Sequence, residues 1–172
     1  MRDSFRQVRL GATRFLKNLN PFLFPCLFLF AFCSCASTSK FEKLEEPSSG
    51  KSLLYVLRPA QTALSLWSFP VELFRYEGPF QNGKRSSIAK LSLDSADFFS
   101  MELRPGFYSL VCRDMDKIFY AKEGGRIFLL IQLFHRGTFA VPGIFIKNAE
   151  TEESVQFLLE GARMNRTNPV GE

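Results

Sequence analysis

Three short stretches between residues 87 and 112 carry apolar residues at every second position. Ala89, Leu91 and Leu93 fall on one face of an extended strand, with Ile88, Lys90 and Ser92 on the other. Phe99, Met101 and Leu103 repeat the pattern against Ser100, Glu102 and Arg104. Tyr108, Leu110 and Cys112 resume it after Pro105 and Gly106. A period of two sends successive side chains to opposite faces, which is the pattern of a sheet with one dry and one wet side. Wound as a helix, the same residues would scatter around the cylinder and leave no apolar stripe. The chain is therefore expected to be mainly β.

The flanking segments fit that reading. Residues 53–58 form an apolar run stopped by Pro59, which biases its predecessor towards extended geometry. A strand over residues 71–76 is closed by Glu77-Gly78-Pro79 and then by Gln81-Asn82-Gly83-Lys84, both rich in turn formers. Pro105 and Gly106 stand where a type II turn asks for proline and then for a residue of positive φ, so residues 104–107 are expected to close a hairpin. Glu123-Gly124-Gly125, between apolar runs, is read as a second hairpin turn. Residues 126–134 are apolar on both faces, which suits a central strand. A last strand is placed over 139–147, interrupted by Pro142-Gly143. Residues 151–163 change period: Val155, Leu158, Leu159 and Ala162 have helical spacing, and Glu152 and Glu153 stand at the positive end of the helix dipole. The expected fold is a single β-sandwich-like domain over residues 52–163, with about seven or eight short antiparallel strands and one C-terminal helix.

The start of the chain is of another kind. Arg2, Arg6, Arg9, Arg14 and Lys17 precede residues 21–35, PFLFPCLFLFAFCSC. Positive charge, a short apolar run and then small residues make a secretory signal. The run is shorter than the roughly 20 residues that a spanning helix needs, and Pro21 and Pro25 weaken a long helix further. Phe32-Cys33-Ser34-Cys35 fits a lipobox, in which the thiol of Cys35 receives diacylglycerol and its freed amine an N-acyl chain. Ordinary cleavage after Ala36 is the alternative. Residues 1–35 are thus expected to be a lipoprotein signal peptide, 36–51 a flexible tether of small and charged residues, and 164–172 a disordered tail. Phe41 and Leu44 are the two tether residues able to pack onto the domain edge.

This division changes the charge balance. The leader holds five of the 22 basic residues and one of the 17 acidic ones, so the remainder is close to neutral. That removes the case for nucleic-acid binding. Of four cysteines, two precede the processing site and Cys35 is acylated, which leaves Cys112 with no partner for an internal disulfide.

No catalytic set stands out. His135 is the only histidine, and its place after an apolar strand reads as a surface loop. Cys112 lies within an apolar alternation and reads as a small buried hydrophobe. Asp94, Asp97, Asp114 and Asp116 lack the spacing of a calcium loop. An envelope hydrolase would need Asp94, Asp97 and Glu102 to converge in one pocket. Arg58 and Arg104, each before a proline at a strand end, are candidates to meet an anionic partner together. Trp67, with Phe69, is a candidate contact patch.

Tyr55-Val56-x-Arg58-Pro59, the alternating strands, Pro105-Gly106-x-Tyr108 and the Gly124-Gly125 turn together resemble a family of bacterial lipoprotein-borne domains of unknown function. Tyr108 stands where that family often has histidine. The resemblance implies a β-domain in the cell envelope and carries over no catalytic residue. The chain is accordingly expected to be a non-enzymatic, lipid-anchored envelope protein, with the outer membrane favoured over the inner. Its expected partners are the membrane and an envelope protein or peptidoglycan, and it is expected to need no cofactor beyond the lipid on Cys35. A surface-exposed adhesin or antigen is the alternative.

Overall fold

The computed structural model describes residues 39–61, 65–78, 83–134, 143–160 and 164–169. They belong to one compact unit that begins at Thr38. The elements are β1 (Ser52–Arg58), β2 (Phe69–Tyr76), β3 (Arg85–Leu93), β4 (Asp97–Leu103), β5 (Gly106–Cys112), β6 (Met115–Ala121), β7 (Arg126–Phe134), β8 (Gly143–Asn148), α1 (Thr151–Leu159) and β9 (Asn165–Arg166). Two sheets result, one ordered β8-β7-β1-β4-β9 and the other β3-β2-β5-β6. The fold is mainly β and sandwich-like, with its helix near the C-terminus. Two of the ladders are parallel, β1 with β7 and β4 with β9, where an antiparallel fold was expected.

The core lies between the sheets. Leu54, Val56, Phe99, Leu129 and Ile131 from the five-stranded sheet meet Val71, Leu73, Leu91, Tyr108 and Leu110 from the other. The outer face of the five-stranded sheet is also covered. There Leu53, Tyr55, Leu57, Phe98, Phe128 and Leu130 pack against Phe41, Leu158 and Met164. β1 is consequently buried along its whole length, and β7 is dry on both faces over its middle, as its two apolar faces predicted.

The expected hairpin at Arg104–Phe107 is absent, and so is the one at Glu123–Gly125. β4 pairs with β1, while β5 pairs with β2 and β6 in the opposite sheet. Arg104 and Pro105 carry the chain across the roughly 10 Å between packed sheets. Gly106 is the first residue of β5, at φ 150° rather than the smaller positive φ of a type II turn. Alternation cannot distinguish these routes: the two apolar sets face the same core whether the strands lie side by side or oppose each other across it. Tyr108 ties the corner, its hydroxyl donating to the Arg104 carbonyl at 2.7 Å. Gly124 and Gly125 likewise lead from β6 to β7, giving and receiving hydrogen bonds beside β1, Gly124 N to Lys51 O at 2.8 Å and Leu53 N to Gly125 O at 2.9 Å.

The stretch expected as a flexible tether belongs, from Ser39 onward, to the folded unit. Phe41 is 4% exposed and meets Phe98 edge-on at 5.7 Å. Lys40 bridges to Asn165, and the Arg166 amide donates to Ser39 O at 2.8 Å. Glu45 N donates to the Tyr55 hydroxyl at 2.9 Å, and Glu102 accepts from Ser48 N at 2.9 Å and Lys51 Nζ at 2.5 Å. Mixed charge suggested solvation; these charges are instead partners for the sheet edge and for Arg126 and Arg166. Residues 164–167, expected in a disordered tail, are the other half of this closure.

The helix is shorter than expected. Ser154 and Leu158 face inward, whereas Leu159, counted on the apolar stripe, is 46% exposed. Ser154 Oγ donates back to the Glu150 carbonyl at 2.8 Å, so a buried hydroxyl is satisfied within the first turn. His135 and Ala162 lie outside the described residues, as do Cys35 and the whole leader.

Candidate functional site

The strap formed by residues 39–45 does not lie flush on the sheet. A cleft of about 240 Å³ remains beneath it, lined by the buried rings of Phe41, Tyr55 and Phe98 and by Lys40, Lys43 and Arg166 nearer solvent. β1 and β4 position its floor, since Tyr55 and Ser100 are register partners whose side chains share the outer face. Phe128 stacks on Tyr55 at 5.2 Å and fixes the ring. Burial pushes the Tyr55 phenol pKa up. Ser100 Oγ, at the floor, is buried with no hydrogen-bond partner among the described residues. A serine nucleophile needs a base within hydrogen-bond reach, and among the described residues none pairs with this hydroxyl. Arg166 Nη1 donates to Glu45 Oε1 at 2.8 Å and closes one end of the strap. An aromatic floor, one unmatched hydroxyl and a margin of mixed charge, with Glu42 and Glu45 beside the cations, make a small amphipathic receptacle. Sequence reading missed it because Ser100 and Lys43 carry no motif, and because the strap was taken for a tether.

Arg58 and Arg104 are not brought together. Arg58 ends β1 opposite Asp97, whereas Arg104 follows Leu103, the partner of Ser52 at the other end of the same ladder. Six residues of strand, about 20 Å, separate those ends. Arg58 is 3% exposed and works inside the fold. Its Nη1 donates to the carbonyls of Trp67 at 2.5 Å and Leu93 at 2.6 Å, and its guanidinium lies 3.8 Å from the centre of the Phe69 ring. Burial lowers its pKa, and the carboxylates of Asp94 and Asp97 work the other way. Arg104 is exposed. Trp67 is 52% exposed and Leu66 beside it 94%, but Phe69 is wholly buried, so of the expected pair only Trp67 is at the surface, with Leu66 beside it.

The three carboxylates that a hydrolase would need do not converge. Asp97 accepts from Asp94 N and from Thr167 Oγ1, both at 3.0 Å, and Asp94 accepts from Ser68 Oγ. Glu102 is at the far end of β4, and its hydrogen bonds to Lys51 and Ser48 hold its pKa down to about 2. Among the described residues no group of three or more His, Cys, Asp or Glu side chains is placed to hold a metal ion. Cys112 is a buried thiol whose pKa burial pushes up to about 11.

The outer face of the four-stranded sheet presents a further apolar group. Phe107 and Tyr120 are register partners with rings 4.9 Å apart, and both are exposed together with Ile118. Arg85 reaches across this face to Ser109 Oγ at 2.7 Å and Asp116 Oδ2 at 2.5 Å, passing over the Phe74 ring. Comparison of the chain with protein-family models, with curated proteins and with solved structures finds no match.

Proposed function

We propose that this protein is a lipid-anchored component of the bacterial cell envelope, outer membrane in preference to inner, whose sandwich is a binding or structural module without enzymatic activity. The observation that carries the reading is the join between leader and fold. A basic, apolar and small-residue leader ends at Cys35, and the packed chain resumes at Ser39. Every stretch upstream of Cys35 fits a removed signal. The amphipathic cleft under the strap and the exposed Phe107–Tyr120 pair support a binding role, since both offer contact surface. The partner class that suits them is an envelope protein or a peptidoglycan fragment, and the attached group is diacylglycerol with an N-acyl chain on Cys35. The short Tyr55–Pro59 and Pro105–Tyr108 motifs, which suggested a relation to lipoprotein-borne domains, have structural tasks here: burying the central strand and tying the corner between sheets.

Metabolic labelling with palmitate tests the anchor. Label is expected in the wild type and in Cys33→Ser and absent from Cys35→Ser. Label that survives Cys35→Ser overturns the assignment.

A further inference from the structure

We infer that Leu66 and Trp67 form a second membrane contact, seated in the phospholipid headgroup layer while the lipid on Cys35 holds the chain. The inference rests on the lipid-anchor reading and adds the orientation of the domain. Four observations carry it.

The first is exposure under restraint. Leu66 is 94% and Trp67 52% exposed, yet the chain beside them is pinned. Arg58 holds the Trp67 carbonyl, Ser68 Oγ donates to Asp94, and Phe69 is clamped under the Arg58 guanidinium. A buried arginine thus fixes a leucine and a tryptophan facing outward. The second is position. Arg58 pairs with Asp97, Asp97 with Asn165, and Asn165 with Lys40, so one row across the sheet ends at the strap. Leu66 and Trp67 stand on the rim of the sandwich that this row marks.

The third is the length of chain between fold and anchor. Four residue steps separate Cys35 from Ser39, which allows at most about 14 Å. Ser39 is hydrogen-bonded to Arg166, one residue from that row, so an acylated Cys35 keeps this rim close to the bilayer. The fourth is chemistry. Tryptophan favours the membrane–water interface, where an apolar ring and a polar N–H are both accommodated. Arg113 is on the same rim, at the turn after β5, with its guanidinium 4.8 Å from the Phe69 ring, and Lys40 ends the row. Arg113 is exposed and placed to meet phosphate groups. The occupant is therefore a phospholipid surface. The Phe107–Tyr120 pair lies at the opposite end of the sandwich, beside Gly106 and Ala121, and faces away from it.

Trp67 is the only tryptophan, so its fluorescence reads the contact directly. The full acylated protein is reconstituted in phospholipid vesicles that carry lipids brominated near the headgroup. Strong quenching of Trp67 is expected, together with a blue-shifted emission. Leu66→Asp should lose most of that quenching while keeping the palmitate label and the melting temperature. A Trp67→Phe, Phe107→Trp variant moves the probe to the far end and should stay unquenched. Unquenched Trp67 in labelled, vesicle-bound protein overturns the inference and leaves the anchor standing, and so does equal quenching at both probe positions. Absence of palmitate label overturns the anchor, and the inference with it.

Discussion

Replacing Phe41 by alanine separates a structural strap from a passive tether. The ring is 4% exposed, meets Phe98 edge-on at 5.7 Å and belongs to the second apolar cluster. Truncating a buried phenylalanine costs about 3–5 kcal/mol, from lost transfer energy and from the cavity left behind. Here the ring borders the existing cleft of about 240 Å³. The space opens towards water instead of remaining a sealed void, and the expected cost falls to the lower end, about 3 kcal/mol. For a unit of this size that corresponds to a melting-temperature drop of about 10 °C. Thermal and urea melts of the chain from Ser37 measure it, with Glu42→Ala, an exposed neighbour, as the control. Equal midpoints for Phe41→Ala and wild type would show that the strap does not hold the sheet.

Two further substitutions probe other parts of the fold. Gly106 sits at φ 150°, and a Cβ there would meet only Tyr108 Cε2, at 3.9 Å. Gly106→Val is therefore expected to cost at least about 1–2 kcal/mol of backbone strain, although its Cβ has room; equal urea midpoints for the variant and wild type would refute the assignment. Glu102 is held at a pKa of about 2, against an ordinary value of about 4.3. A depressed carboxyl contributes stability above its unfolded pKa and loses it as pH falls through the folded one. Glu102→Gln should thus flatten the fall of melting temperature between pH 5 and pH 2, and parallel profiles for variant and wild type would contradict the clamp on Ser48 and Lys51.

Much of the strand content was legible because burial leaves its mark on single positions. Leu91, Leu93, Tyr108 and Leu110 are buried where alternation put them. What alternation cannot encode is which sheet a strand joins. Leu103 and Tyr108 share a core with only two residues between their strands, and nothing in Arg104-Pro105 distinguishes a hairpin from a crossing. Of the strap, only the packing of Phe41 and Leu44 was legible; the rest reads as a charged tether because its partners, among them Met164 and Arg166, are remote in sequence. The candidate residues divide along the same line. Trp67, singled out by its type, is exposed, whereas Arg58, expected to meet an anionic partner beside Arg104, directs its guanidinium to two carbonyl acceptors inside the fold. The cleft around Ser100 has no local signature because it exists only between distant segments.

The pairing of Lys40 with Asn165 joins the first and last segments of the folded unit across 125 positions of sequence. Loop closure of that span comes late, after the local ladders have formed. A chain synthesised N-terminus first therefore holds its strap open until its final residues have been delivered. Truncation ahead of Met164 would remove the backbone partners of Ser39, Lys40 and Phe41 and free residues 36–41 as a leash of roughly 20 Å, while Glu45, Ser48 and Lys51 stay tied to Tyr55, Glu102 and Gly124. Under the proposed anchoring at Cys35, residues 164–166 would thereby set how far the domain can range from the membrane, and proteolysis ahead of them would change that reach without touching the lipid.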